Sequence, residues 1–208
     1  MLSEVFLSLD LVDLNEALEI ARKAIRAGFR HIEIGTPLVK SEGMKAVRAF
    51  REEFPELTIF VDTKTMDTGS LEAELVFSSG GDIMSVMAAA PNETIKSAVQ
   101  EARRRGKEVL VDTLGVKSVE SRIREIMELG INRICLHRGV DEGVFSDFEL
   151  VKRLKGLGIK VGVAGGINEE SLPKVRSIAD FVMVGRAITK SPDPEDAARR
   201  ILKAAGLT

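Results

Sequence analysis

Three apolar residues, Ile59, Phe60 and Val61, lead directly into Asp62, Lys64 and Asp67 in the segment TIFVDTKTMD (58–67). An ammonium set among carboxylates keeps each group charged by mutual attraction, and such an array can orient a polar substrate or hold a cation. Residues two apart on a strand share a face, so Asp62 and Lys64 are expected to point together. Asp67 opens the following loop and either turns back to Lys64 or reaches outwards. Glu33, in HIEIG (31–35), supplies a second hard oxygen. Glu33 and Asp62 suit Mg2+, which takes one or two carboxylates and completes its shell with water and substrate oxygen. Zinc is disfavoured, because the chain has two histidines, His31 and His137, and one cysteine, Cys135. His137, in CLHRGVD (135–141), titrates near neutrality when unperturbed and is the candidate for moving a proton.

A second constellation is rich in glycine. VGVAGGI (161–167) carries Gly165 and Gly166, and FVMVGRAI (181–188) carries Gly185 followed by Arg186. Backbone N–H groups beside glycines can approach an anion without side-chain interference, and the guanidinium adds charge. These residues predict a phosphate site and a small phosphorylated ligand.

The elements that must position these groups follow from hydrophobic spacing. Strand-like runs rich in Val and Ile recur at VFLSLD (5–10), HIEIG (31–35), TIFVD (58–62), DIMSV (82–86), EVLVD (108–112), RICLH (133–137), KVGVAG (160–165) and FVMVG (181–185). Between them lie amphipathic stretches such as Leu14, Leu18, Ala21, Ala24 and Ile25, or Val119, Ile123, Ile126 and Met127. Gly28, Gly106, Gly130 and Gly158 mark helix ends, and SPDPE (191–195) opens the last helix. Eight strands alternating with eight helical stretches predict a closed (β/α)8 TIM barrel formed by residues 1–208 as one domain. An open dinucleotide-binding sheet is the rival, but the first strand-to-helix turn lacks the G-x-G-x-x-G pattern. In a barrel, function gathers at the C-terminal ends of the strands. Asp10, Glu33, Asp62, Lys64, Asp112 and His137 all fall there, and the glycines follow strands seven and eight, the usual phosphate position. His31 precedes its strand core and is assigned to the surface or the barrel bottom.

The 208 residues are 44% hydrophobic and 30% charged, with a formal net charge of −2. That composition excludes a disordered chain and disfavours nucleic acid as a partner. No run approaches the roughly 20 apolar residues that span a bilayer, and the first residues lack a basic, apolar leader, so a cytoplasmic protein without membrane contact is expected. A single cysteine excludes an intrachain disulfide, and Cys135 reads as a small apolar strand residue.

Through Asp62, Lys64 and Asp67, together with IEIGTPL (32–38), AGG (164–166) and VGRAI (184–188), the chain resembles the orotidine 5'-phosphate decarboxylase suprafamily. EIGTPL, DTKTMD and CLHRGVD resemble most the 3-hexulose-6-phosphate synthase branch, along nearly the whole chain. The resemblance implies a (β/α)8 barrel, commonly a homodimer with active sites shared at the interface. It implies a lyase that joins formaldehyde to D-ribulose 5-phosphate through a 1,2-enediolate, giving D-arabino-hex-3-ulose 6-phosphate, and the reverse. By that analogy Glu33 and Asp62 bind Mg2+, which stabilises the enediolate, and His137 moves the proton at C1. Lys64 offsets oxyanion charge, and Asp67 reaches the neighbouring subunit's site to order its lysine. Asp10 and Asp112 meet sugar hydroxyls, while Arg138, Gly165, Gly166, Gly185 and Arg186 complete the substrate contacts. Functional coupling to a hexulose-phosphate isomerase is also implied.

The alternative is 3-keto-L-gulonate-6-phosphate decarboxylase, which resembles the chain in the same charged residues. That relative commonly has H-R-x-R-D after the sixth strand and Glu after the fifth. Here Val140 replaces the second Arg and Asp112 the Glu, and both departures count against decarboxylation. Orotidine 5'-phosphate decarboxylase itself fits poorly, since the metal-binding role that the resemblance implies for Glu33 in EIGTP suits a metal-free pyrimidine site badly. A non-catalytic sugar-phosphate sensor would have no need of the full acid–base ring.

Overall fold

In the computed structural model, which describes residues 2–207 apart from the side chain of Val140, the strand-like runs close into a barrel. The departure noted at Val140 lies outside the described side chains. The strands are β1 Glu4–Leu9, β2 His31–Ile34, β3 Thr58–Thr65, β4 Ile83–Met87, β5 Glu108–Asp112, β6 Arg133–His137, β7 Lys160–Ala164 and β8 Phe181–Val184. All are parallel and pair in chain order, with β8 returning to β1. The predicted TIM barrel is therefore the fold observed. The helices are α1 Leu14–Ala27, α2 Thr36–Glu42, α3 Met44–Glu53, α4 Gly69–Ser78, α5 Asn92–Arg104, α6 Val119–Ile126, α7 Phe148–Lys155, α8 Leu172–Val175, α9 Arg186–Thr189 and α10 Pro194–Ala205.

Ten helices among the described residues, where eight were expected, reflect two interrupted connections. Gly43, at φ 60° and ψ −153°, leaves helical space and divides the β2–β3 crossover into α2 and α3. After β8, the short α9 precedes α10, whose start follows the expected signals: Pro194 is its first residue, and Asp193 accepts from Asp196 N at 3.0 Å. Gly28 caps α1 as predicted, whereas α7 ends at Lys155, before Gly158. The strand β3 runs three residues beyond the expected Asp62, to Thr65.

Two apolar layers hold the barrel. The outer one packs strand residues such as Leu7, Ile32, Val61, Val86 and Val163 against the inner stripes of the helices. The inner one fills the barrel itself with Phe6, Phe60, Ile83, Leu110, Cys135, Ala164, Phe181 and Met183. Because side chains alternate faces along a strand, the residue two positions after an inner apolar one also points inwards, one layer nearer the C-terminal mouth. That step leads from Phe6 to Ser8, Phe60 to Asp62, Ile83 to Ser85, Leu110 to Asp112 and Cys135 to His137.

The opposite mouth is closed by charge. Arg133, 3% exposed, donates Nη1 to Glu4 at 2.6 Å and Nε to Glu108 at 2.9 Å, and its guanidinium lies 4.8 Å from the Phe181 ring centre. His31 stacks beside Phe6 at 5.1 Å, which places it at this end as expected. Burial lowers the His31 pKa, and Arg133 adds to that effect against the pull of Glu4. Removing one member of such a buried pair leaves the other charge uncompensated. Arg133→Met is therefore expected to lower the unfolding free energy by about 3 kcal/mol, read by denaturant titration, with the C-terminal mouth left intact.

Candidate active site

At the C-terminal mouth the structure gathers Asp62, Lys64, Asp112 and His137 into one hydrogen-bonded cluster with Thr36 and Ser85, and sets the Glu33–Ser8 pair beside it. Glu33 is 8% exposed, and its Oε2 accepts from the hydroxyl of Ser8, its lateral partner on β1. Burial, with the Asp62 and Asp10 carboxylates next, pushes the Glu33 pKa well above its ordinary value. Asp62, 5% exposed, accepts from Ser85 Oγ at 2.7 Å through Oδ1, and from Lys64 Nζ at 2.6 Å and Thr36 Oγ1 at 2.9 Å through Oδ2.

Lys64 Nζ bridges to Asp112 Oδ2 at 3.4 Å. Burial alone would lower the lysine pKa, yet Asp62, Asp112 and Glu33 outweigh it and raise the pKa, so the ammonium is held charged. Asp112, 3% exposed, also meets His137 Nδ1 at 2.7 Å through Oδ2 and accepts from Leu114 N at 2.8 Å through Oδ1. Burial tends to raise its pKa, but His137, Lys64 and the Leu114 amide bring it below the ordinary aspartate value. An ionised Asp112 can only accept, so Nδ1 of His137 carries the proton and Nε2 is left as the basic nitrogen of the neutral ring.

The route by which Lys64 reaches Asp62 differs from the expected shared strand face. Between Val61 and Thr65 the β3–β4 register shifts, and Lys64 itself has φ 49°. A bulge, rather than regular alternation, aims the ammonium.

Asp10 lies one residue beyond β1, at the rim. Its Oδ1 would collide with a Cβ at position 35, so Gly35 makes room for it, and its Oδ2 faces Gly185. Although solvent reaches Asp10, the protein crowded around its carboxylate and the Asp62 charge raise its pKa, against Lys64, His137 and Arg186. Gly165 and Gly166 have φ 114° and 68°, and side chains there would strike Arg138 O and Val144. Arg138 is exposed and donates Nε to Glu142 O at 2.9 Å. Arg186 is exposed, and among the described residues its guanidinium makes no hydrogen bond or ion pair. Asp67 stands apart from the cluster: it is exposed, and its Oδ1 accepts from Thr68 N at 2.7 Å.

Ser8, Gly35, Thr36 and Ser85 were not singled out from the sequence. Ser8 and Ser85 occupy the inward position two residues beyond Phe6 and Ile83, a signal that alternation alone carries. Thr36 follows Gly35 in EIGTP, and its role depends on the hydroxyl reaching across to β3.

Among the described residues, no set of three or more Asp, Glu, His or Cys side chains forms a ready-made metal cage. Glu33 and Asp62 nonetheless fit Mg2+, because two hard carboxylates suffice and a dication offsets the repulsion that raises Glu33. The cluster thus combines a cation seat, a fixed ammonium and an oriented imidazole, the groups needed to remove a proton beside a carbonyl and to neutralise the resulting oxyanion.

Residues 3–201 match the sequence profile of the Orotidine 5'-phosphate decarboxylase / HUMPS family. A 3-hexulose-6-phosphate synthase of Bacillus subtilis is 40% identical, over 95% of this chain and 96% of its own length. A crystal structure of 3-hexulose-6-phosphate synthase superimposes with TM-score 0.91 at 33% identity, covering 97% of this chain and 99% of the other. That of a KGPDC from Streptococcus mutans gives TM-score 0.92 at 25% identity, covering 99% and 98%. No helix among the described residues is long and apolar enough to cross a membrane.

A raised Glu33 pKa means that the folded protein holds that proton more tightly than the unfolded chain does. The Glu33 contribution to stability therefore falls as pH rises from the ordinary glutamate value, about 4.3, towards the higher folded value. Glu33→Gln removes this penalty. Without metal, the variant is expected to melt above the wild type at about pH 8, with a smaller gap at about pH 5. Mg2+ should raise the Tm of the wild type and not that of the variant; an equal Mg2+ shift in both would remove Glu33 from the ligand set.

Proposed function

This chain belongs to the Orotidine 5'-phosphate decarboxylase / HUMPS family, and we propose that its reaction is the Mg2+-dependent aldol addition of D-ribulose 5-phosphate to formaldehyde, and the reverse. The observation that carries the reading is Asp112 Oδ2, which meets both His137 Nδ1 at 2.7 Å and Lys64 Nζ at 3.4 Å. One carboxylate fixes the tautomer of the base and shares the ammonium that balances the oxyanion. The 40% identity to a 3-hexulose-6-phosphate synthase supports the same choice.

Nε2 of His137 takes a proton from C1 of ribulose 5-phosphate, and the C–H electrons pass to the C2 carbonyl oxygen, giving a 1,2-enediolate. Lys64 offsets the charge on that oxygen. C1 then attacks the formaldehyde carbon, and the former formaldehyde oxygen takes the proton from the imidazolium. A positioned base of this kind contributes on the order of 10²–10⁴-fold. Glu33 and Asp62 hold Mg2+, which when bound supplies Lewis-acid stabilisation of nearby oxygens. Asp112 orders the base through Oδ2, which meets His137 and Lys64, and its Oδ1, which accepts from Leu114 N, keeps a lone pair for the sugar hydroxyls that the resemblance assigns to it. Asp10 meets sugar hydroxyls at the rim. Gly165, Gly166, Gly185 and Arg186 hold the phosphate, with Arg138 beside them.

Asp67 completes the site of a partner subunit in a homodimer. In support, Asp67 is exposed, follows Met66 and leads into α4, and Met66, Leu71 and Leu75 are 48%, 56% and 50% exposed. Leu71 and Leu75 sit one turn apart on α4 and present an apolar face for a second copy.

The competing reading is decarboxylation, favoured by the likeness to KGPDC. Incubation with Mg2+, ribulose 5-phosphate and formaldehyde, in parallel with 3-keto-L-gulonate 6-phosphate, separates the two: formaldehyde consumption without comparable CO2 release is expected. Arg186→Ala should raise KM for ribulose 5-phosphate by about tenfold or more and change kcat far less, because the lost contact is to the non-reacting phosphate. Equal losses in both constants would move Arg186 out of the phosphate site. Asp62→Ala and Asp67→Ala homodimers should each be nearly inactive. After verified subunit exchange about half the dimers are mixed, each with one intact site, so activity should return to roughly a quarter of wild type. No recovery would place Asp67 in its own chain's chemistry.

A further inference from the structure

Opposite Ser85 the barrel wall breaks its ladder. From Val61 to Thr65 β3 advances four positions, while β4 advances two, from Met84 to Val86. The extra β3 residues bracket Lys64, which has φ 49°; Lys64 and Thr68 are the only non-glycine residues in the left-handed region among those described. A lysine persists in that conformation only where its surroundings over-determine it.

Those surroundings converge on one residue. Ser85 is fully buried, and its hydroxyl accepts from Lys64 N at 2.8 Å while donating to Asp62 Oδ1 at 2.7 Å. Its carbonyl accepts from Thr63 Oγ1 at 2.9 Å. A hydroxyl has a single proton. With that proton on Asp62, the Ser85 lone pairs are directed at the Lys64 amide, so the two bonds fix each other.

We infer that Ser85 is a positioning residue of the site, one buried hydroxyl that sets both the direction of the Asp62 carboxylate and the backbone conformation from which Lys64 reaches it. The inference deepens the proposed aldol reading and rests on it for the kinetic consequence, and on the proposed Asp62 ligation for the Mg2+ consequence. Without the hydroxyl, the Lys64 amide loses its partner in a buried position and Asp62 is released on the oxygen that Lys64 and Thr36 do not hold. Groups that orient a ligand or a reacting side chain typically affect metal affinity or activity by about 10–100-fold.

Ser85→Ala, compared with wild type, tests this through two independent readouts. Calorimetric titration with Mg2+ alone is expected to show affinity weakened by about tenfold. Kinetics with ribulose 5-phosphate and formaldehyde should show kcat lowered by about tenfold or more, with KM for ribulose 5-phosphate within about threefold, since the phosphate contacts lie elsewhere. Ser85→Cys keeps the side-chain shape with weaker hydrogen bonds and should fall between the two; it serves as the test if the alanine variant does not fold. A lowered Tm with Mg2+ affinity and kcat both unchanged would overturn the inference and leave Ser85 a packing residue. Wild-type protein inactive in the aldol assay, with Mg2+ binding still weakened in the variant, would instead sink the proposed reaction and keep the placement of Asp62 by Ser85.

Discussion

A single half-buried ammonium orders the C-terminal mouth of the barrel. Lys64 lies between Asp62 and Asp112, and through Asp112 its charge is linked to His137. His137 and Lys64 hold Asp112 ionised against its burial, and burial would lower the lysine pKa without the carboxylates beside it. Lys64 and Asp112 therefore hold each other in the charged forms that the proposed proton transfer requires. Asp112, with its lowered pKa, stays an acceptor, and that fixes which nitrogen of His137 is basic.

The charge balance within this layer is incomplete. Asp10, Glu33, Asp62 and Asp112 line the same mouth as one lysine, and burial, with the Asp62 and Asp10 charges added to it, raises the Glu33 pKa. Ser8 answers one Glu33 oxygen with a neutral hydroxyl, which does little to offset that charge. A divalent cation would do so directly. At the opposite end of the barrel the chain solves a comparable problem with its own residues: Arg133 meets Glu4 and Glu108 and covers Phe181. One end is closed by a protein cation, and the other is left open to chemistry.

A 3-hexulose-6-phosphate synthase structure and a KGPDC structure superimpose on this chain almost equally well, so the fold alone does not choose between the two proposed activities. A shorter acid at position 112 sits tight against His137 and Lys64, where a glutamate would extend one methylene further.

Much of this was legible in the sequence because strands write their faces in a period of two. Eight Val- and Ile-rich runs determined the barrel, and polar residues at their ends determined the ring of Glu33, Asp62, Asp112 and His137. Ser85 and Ser8 follow the same period but were invisible as site residues, since a serine in an apolar strand carries no charge to advertise its neighbours. Gly43 was likewise silent: a helix interruption depends on its backbone angles. Tertiary structure alone decided which charges meet. The bulge that aims Lys64, the hydroxyl of Thr36 reaching Asp62, and Asp112 shared between lysine and histidine all join residues from different elements. Local spacing fixes the face on which a side chain emerges, whereas its partners are fixed by the closure and register of the barrel, which no short stretch of sequence contains.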